Sequence, residues 1–291
     1  MNGVAVIVMA YGSPERLEDV PAYYADIRGG RPIKEERLAE LVERYGRLGI
    51  ESGNPLNAIT EQTRAALEQA LDVPVFTGMK HWHPRIGDAV ERAVDTGAET
   101  IVGLVLAPHY SPLSIGGYKQ QFERALADRA NLAFVERWGS DRGFVELLAE
   151  RIQGTDAHVV FTAHSLPAEG SGDYEEELLE TSRLVAEHAG IDDWSFSFQS
   201  ESPTGVPWLR PDILEHLDAL ARDGARDVLV CPVGFVADHL EIRWDLDVEA
   251  ADRARTLGLG FGRIEMPNAE RAFIDVLAGL VQQAVSLPSR A

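Results

Sequence analysis

Cysteine is almost absent. Cys231 stands alone in 291 residues, which excludes an internal disulfide framework and any metal cluster held by several cysteines of this chain. Lysine is nearly as scarce, at Lys34, Lys80 and Lys119, and 47 acidic residues against 27 basic ones leave a formal net charge of −20. A surface of that sign repels nucleic acid and anionic membrane, while it favours solubility and draws in cations. No apolar run approaches the roughly 20 residues of a membrane helix. No basic segment precedes the apolar stretch Val4–Ala10, so it reads as a first strand rather than a signal peptide, and cytoplasm is the expected location. Neither a Gly-x-Gly-x-x-Gly run after that strand nor a Gly-Lys-Ser/Thr phosphate loop is present, which disfavours dinucleotide and nucleoside triphosphate use.

What is present is an alternation of short apolar runs and amphipathic segments. Strands are expected at Val4–Ala10, Val73–Gly78, Thr100–Ala107 and Leu132–Glu136, with helices between them, the first beginning at Ser13 and Pro14. The pattern then starts again, with strands at His158–Ala163, Ser195–Gln199 and Asp227–Cys231. Strands alternating with helices imply parallel sheets with right-handed crossovers. Two rounds imply two similar α/β domains, expected as 1–110 with 269–291, and 111–268.

Ligands of such sheets bind beyond the carboxyl ends of the strands. The polar residues there are Tyr11, Lys80, His81, His83, His109, Tyr110, His164 and Asp238 to Glu241. Two domains facing each other would bring them to one cleft. Glu241, Asp245 and Glu249 follow at four-residue steps on a predicted helix, one narrow acidic stripe that a cation would compensate. Asp238-His-Leu-Glu241 also fits a capping box on a solvated helix. His239 reads as cap packing, Cys231 as an inert core thiol, and His81-x-His83 as a weak metal pattern.

Five motifs carry a resemblance. Val8-Met-Ala-Tyr-Gly-Ser-Pro14, Leu106-Ala-Pro-His-Tyr-Ser111, Ala163-His-Ser-Leu-Pro167, Phe198-Gln-Ser200 with Trp208-Leu-Arg-Pro211, and Pro232-Val-Gly-Phe-Val-Ala-Asp-His-Leu-Glu241 resemble the ferrochelatase family, in family order and across nearly the whole chain. The resemblance implies two Rossmann-like, chelatase-type domains with a porphyrin in the cleft, and a lyase that inserts Fe²⁺ as substrate in haem biosynthesis. It makes His164 and Glu241 the catalytic pair, and His164, Glu241, Asp245 and Glu249 the metal line. It implies Tyr11 on the opposite face of the macrocycle, and Arg28, Arg44, Tyr45, Ser52 and Tyr118 around the propionates. Gly29 stands where a second arginine often follows. Tyrosine at position 11 is similar to the soluble branch that uses coproporphyrin III, which implies coprohaem as product, no iron–sulfur cluster, no tightly bound cofactor and a monomer. Protoporphyrin IX as substrate, a haem-binding or transfer protein, and a cobalt or nickel chelatase are the alternatives. The expected chemistry is proton removal by a neutral imidazole near its ordinary pKa.

Overall fold

The computed structural model describes residues 1, 3–49, 55–202 and 205–286. Two four-stranded parallel sheets organise it. The first joins β1 (Val4–Ala10), β2 (Val75–Met79), β3 (Thr100–Val105) and β4 (Asn131–Val135) in the order β2-β1-β3-β4. The second joins β5 (His158–His164), β6 (Trp194–Gln199), β7 (Asp227–Cys231) and β8 (Gly260–Arg263) in the order β6-β5-β7-β8. The order is the same in both, so the repeat read in the sequence is a repeat of topology. β4 pairs with β3 from Thr100↔Asn131 onward, so the first sheet runs past the domain boundary expected at residue 110. The connection through α5 (Ile115–Leu126) is an ordinary crossover of that sheet. β8 has glycine or arginine at three of its four positions and so offers no apolar run.

Alternation along β1 explains how both faces are filled. Val4, Val6 and Val8 point into one core, and Ala5, Ile7 and Met9 into another against α4 (Ile86–Asp95) and α5. A strand of a parallel sheet covered on both faces is apolar throughout. The first of these cores is shared: it also takes Val159 and Phe161 of β5, Trp138, and Phe144 of α6 (Arg142–Ile152). The last helix, α10 (Arg271–Ser286), adds Phe273, Leu277 and Val281 to it and lies against α3 (Pro55–Leu71), α6, β3 and β4. α7 (Tyr174–Ala189) packs on α6.

Two local expectations are corrected. No helix begins at Ser13; a 3₁₀ turn at Leu17–Asp19 leads into α1 (Val20–Ile27), with Pro21 in the first turn, where its missing N–H costs nothing. The segment after β7 is a π-helix, Ile242–Ala250, running into α9 (Ala251–Leu257). Its i→i+5 bonding gives a wider turn than the α-helix expected, a form frequent at functional sites. Ile242, Leu246 and Ala250 anchor it in the second domain's own core with α8 (Ile213–Arg222). No helix among the described residues is long and apolar enough to cross a membrane.

Phe273 is buried at the Trp138 ring, 6.1 Å between centroids. Phe273→Ala should cost about 3–5 kcal/mol of stability, read as the change in unfolding free energy in equilibrium denaturation.

Candidate active site

The carboxyl ends of β5, β6 and β7 present a compact polar cluster. His164 ends β5, and its Nδ1–H donates to the Ser165 carbonyl. Its Nε2 lies 3.2 Å from Oε1 of Glu241. A carbonyl and a carboxylate can only accept, so both ring nitrogens donate and the ring is an imidazolium. Glu241 enters at the start of the π-helix, and its other oxygen is 3.5 Å from Nε2 of His239. Gln199, buried at the end of β6, donates from Nε2 to the Glu241 carbonyl at 3.2 Å. Tyr174 donates its hydroxyl to the His164 carbonyl at 3.2 Å, and the Trp208 ring lies 6.3 Å from the imidazole.

The capping box does not form. Asp238 accepts from Arg263 Nη2 and from Asn268 Nδ2, each at 2.9 Å, and the helix starts after it. Glu241 is thereby left to the two histidines. His239 is correspondingly more than packing, since its Nε2 faces the second oxygen of Glu241. Sequence reasoning missed it, together with Gln199, Ser200 and Tyr174. The motif Phe198-Gln-Ser200 was the available signal.

Further along the π-helix the acids take separate partners. Asp245 is only 8% exposed and accepts from the Ser200 hydroxyl. Glu249 meets Nη2 of Arg44, from α2 (Glu35–Arg47), at 3.5 Å. The four expected metal ligands are thus strung out rather than gathered. Among the described residues no group of three or more His, Cys, Asp or Glu side chains converges as a ready metal site.

The first sheet contributes the facing groups. Tyr11 follows β1, is 40% exposed, and stacks at 4.5 Å on His81, whose Nδ1 is 2.8 Å from Asp26. Gly12 behind it has φ +82°, and a Cβ there would meet Trp82 at 2.7 Å, so only glycine turns the chain at that point. Tyr45 is buried with its hydroxyl 3.5 Å from Ser13 Oγ. Tyr118 is buried beneath Lys80, whose Nζ lies 4.8 Å from the ring centroid. Arg28 donates to the carbonyls of Arg31 and Pro32 at 3.3 and 3.0 Å. Gly29 and Gly30 that follow it have φ of +61° and +77°, a left-handed turn that disfavours a second arginine at position 29. Ser52 lies outside the described residues. His109 does not reach the cleft: it is buried against Thr181 Oγ1 at 2.9 Å, and burial lowers its pKa to about 3. His83 is exposed and apart from the site, and Cys231 is fully buried with its thiol pKa raised by burial.

This arrangement coincides with a family assignment. A sequence model of ferrochelatases matches residues 3–285. The chain belongs to the ferrochelatase family. It is 40% identical to a ferrochelatase of Herpetosiphon aurantiacus, over 95% of this chain and 97% of that one. It is 37% identical to a coproporphyrin III ferrochelatase of Halalkalibacterium halodurans, over 97% of each. Among solved structures, SirB from Bacillus subtilis with Fe³⁺ has the same fold at a TM-score of 0.62, with 13% identity over 97% of this chain and 96% of that one. The family reaction, insertion of Fe²⁺ into a porphyrin, therefore frames the electrostatics of the cleft.

Those electrostatics differ from a free imidazole. His164 and Glu241 keep 29% and 34% of their side-chain surface, and protein encloses the rest. Burial alone would lower the His164 pKa; the Glu241 carboxylate outweighs it and raises the value from 6.5 to about 9. Burial would raise Glu241, and His164 followed by His239 pulls it below the usual carboxylate range. The expected neutral base is thus an ion pair at rest. His164 contributes stability in full below pH 6.5 that is lost as pH rises through about 9. Glu241 contributes above pH 4.5 and loses that contribution in acid. Asp245 has the opposite sign: burial, then the Glu241 charge, raises it from 3.8 to about 7, so its ionisation costs stability as pH rises from 3.8 through 7. Across the cleft, burial raises Tyr11 and brings Tyr45 to about 12, with the Glu241 charge adding to both.

Two measurements check these signs. The His164 ring, followed by NMR, should titrate near pH 9 in the wild-type protein and move down towards 6.5 in Glu241→Gln; an unmoved titration would mean that Glu241 does not hold the proton. Asp245→Asn keeps an acceptor for Ser200 and should raise Tm at pH 8 by more than at pH 4, whereas equal shifts at both would place the carboxyl in an ordinary environment.

Proposed function

We propose that this chain inserts Fe²⁺ into coproporphyrin III to give coprohaem, with His164 and Glu241 on one face of the ring and Tyr11 on the other. The observation that carries the reading is the His164 Nε2–Glu241 Oε1 pair at 3.2 Å, at the end of β5 and near enough to Tyr11 for the Glu241 charge to act on it. Insertion requires two pyrrole N–H protons to leave while the nitrogens are open to the ion. The resting imidazolium cannot accept one. Fe²⁺ approaching Glu241 as substrate offsets the charge that holds the His164 proton, and that proton then departs. The ring left behind, still aimed by Nδ1–H at the Ser165 carbonyl, has released its Nε2 proton to solvent, takes one pyrrole proton on the freed lone pair, passes it to solvent in turn and then takes the second. Metal arrival and base activation are one electrostatic event. Asp245 and Glu249 lead the ion inward, since carboxylates hold Fe²⁺ and release it.

Coproporphyrin III differs from protoporphyrin IX in carrying more propionates. Support for it comes from Tyr11, from the cations Arg28, Arg44 and Lys80 in a chain of net charge −20, and from relatives named for that porphyrin. Lys80, donating to the Ser114 carbonyl at 3.2 Å and lowered to about pKa 8 by burial, gains from an added anion nearby. Arg28 takes a larger share of propionate binding because Gly29 adds no cation. The monomeric state, the cytoplasmic location and the lack of a resident cofactor belong to the same proposal.

Anaerobic steady-state kinetics with Fe²⁺ test it. His164→Ala and Glu241→Gln should lower kcat by about 10²–10⁴-fold with porphyrin affinity largely kept, while Asp245→Asn and Glu249→Gln chiefly raise the KM for Fe²⁺. Each additional charge-assisted hydrogen bond is worth about 1.5–3 kcal/mol, so kcat/KM for coproporphyrin III should exceed that for protoporphyrin IX by about tenfold or more. Equal or reversed values would assign the chain to protoporphyrin, and turnover by His164→Ala at the wild-type rate would remove His164 from the mechanism.

A further inference from the structure

Arg44 has two claims on it. Its Nη2 is 3.5 Å from Glu249 Oε1, and its Cζ lies 5.4 Å from the centroid of the Trp244 ring. Arg47, one turn further along α2, stacks on the same indole at 5.0 Å. Trp244 is buried, and its Nε1–H has no acceptor among the described residues. Two guanidinium groups thus flank one indole, and of the two only Arg44 meets a carboxylate among the described residues. Donors exceed acceptors, which suits an arriving anion. The existing contact is also weak. At 3.5 Å it is longer than the 2.7–2.9 Å usual for a charge-assisted bond, and the partners are 31% and 38% exposed, in the range where an ion pair contributes little.

We infer that Arg44 is shared between the two substrates: without porphyrin it neutralises Glu249, and a propionate that draws it away frees that carboxylate for the incoming cation. This rests on the reading of Arg44 as a propionate contact. The same α2 carries Tyr45, which packs with Leu240 beside Glu241, so a shift of α2 is felt at the ring site as well as at the acidic line. Once Arg44 has left, Glu249 and Asp245 lose the cation that acts on both, and a divalent ion binds there more tightly. Binding free energies are reciprocal, so the ion must favour porphyrin by the same factor. Glu249 then acts as a competitor of the propionate for Arg44, a role that neither a solvated helix face nor a simple metal ligand would have.

The test uses zinc coproporphyrin III, whose filled ring permits no turnover, and Mn²⁺ followed by the loss of its free EPR signal. In the wild-type protein the porphyrin should raise Mn²⁺ affinity by roughly 5–150-fold, the usual range of coupling between two sites. Glu249→Gln should bind the porphyrin more tightly than wild type and lose the tight Mn²⁺ response. Arg44→Gln should bind Mn²⁺ tightly without porphyrin, bind porphyrin more weakly, and show little coupling. Mn²⁺ affinity indifferent to porphyrin, with Glu249→Gln binding porphyrin as wild type does, would overturn the sharing of Arg44. Unchanged porphyrin affinity in Arg44→Gln would overturn the propionate contact beneath it, and the two failures are distinguishable because porphyrin and Mn²⁺ are measured separately.

Discussion

Parallel strands covered on both faces leave chemistry one place to go. β1 and β5 are buried along nearly their full length, so a charged side chain within them would lack both water and a partner. Polar residues collect where the strands end, and carboxyl ends of parallel strands all lie on one side of a sheet. The shared core of Val6, Phe161, Trp138 and Phe273 holds the two sheets together, and Tyr11 and His164 gain their common setting from that packing rather than from their own sequence context.

Within the cleft the governing quantity is the charge of Glu241. It raises His164, acts on Asp245, and reaches Tyr11 and Tyr45 on the far wall. A carboxylate can be kept ionised in so enclosed a place because two imidazoles flank it, 3.2 and 3.5 Å away. The enclosure that makes the pair strong also makes it responsive, since a divalent ion brought to the same oxygen alters the balance at once. The π-helix serves this arrangement by burying Trp244, Asp245 and Leu246 while Glu241 and Glu249 stay partly open.

Arg44 and Glu249 extend the same logic to the rim. A long, half-exposed ion pair is poor as a fastening and good as an exchangeable contact. It connects an element of the first domain to the helix that carries the acids of the second.

The sequence by itself determined the repeat, the strand ends and the family, because continuous apolar runs and clustered motifs are local properties. The strand-end position of His164 was legible for that reason, and the acidic stripe from Glu241 was legible as spacing. The domain boundary was not, since β4 joins the first sheet through pairing with β3, a contact distant in the chain. Nor was the fate of Asp238, which reads as a helix cap until Arg263 and Asn268 arrive from beyond β7 to claim it. His239, Gln199 and Ser200 acquired roles only when β6 and the π-helix met. The protonation of His164 belongs to the same class: a residue's type sets its ordinary pKa, but burial and a carboxylate 77 positions away in the chain decide which form it holds at neutral pH. Tertiary structure alone decided these features, because each depends on a Coulombic or hydrogen-bonded partner that folding brings from elsewhere.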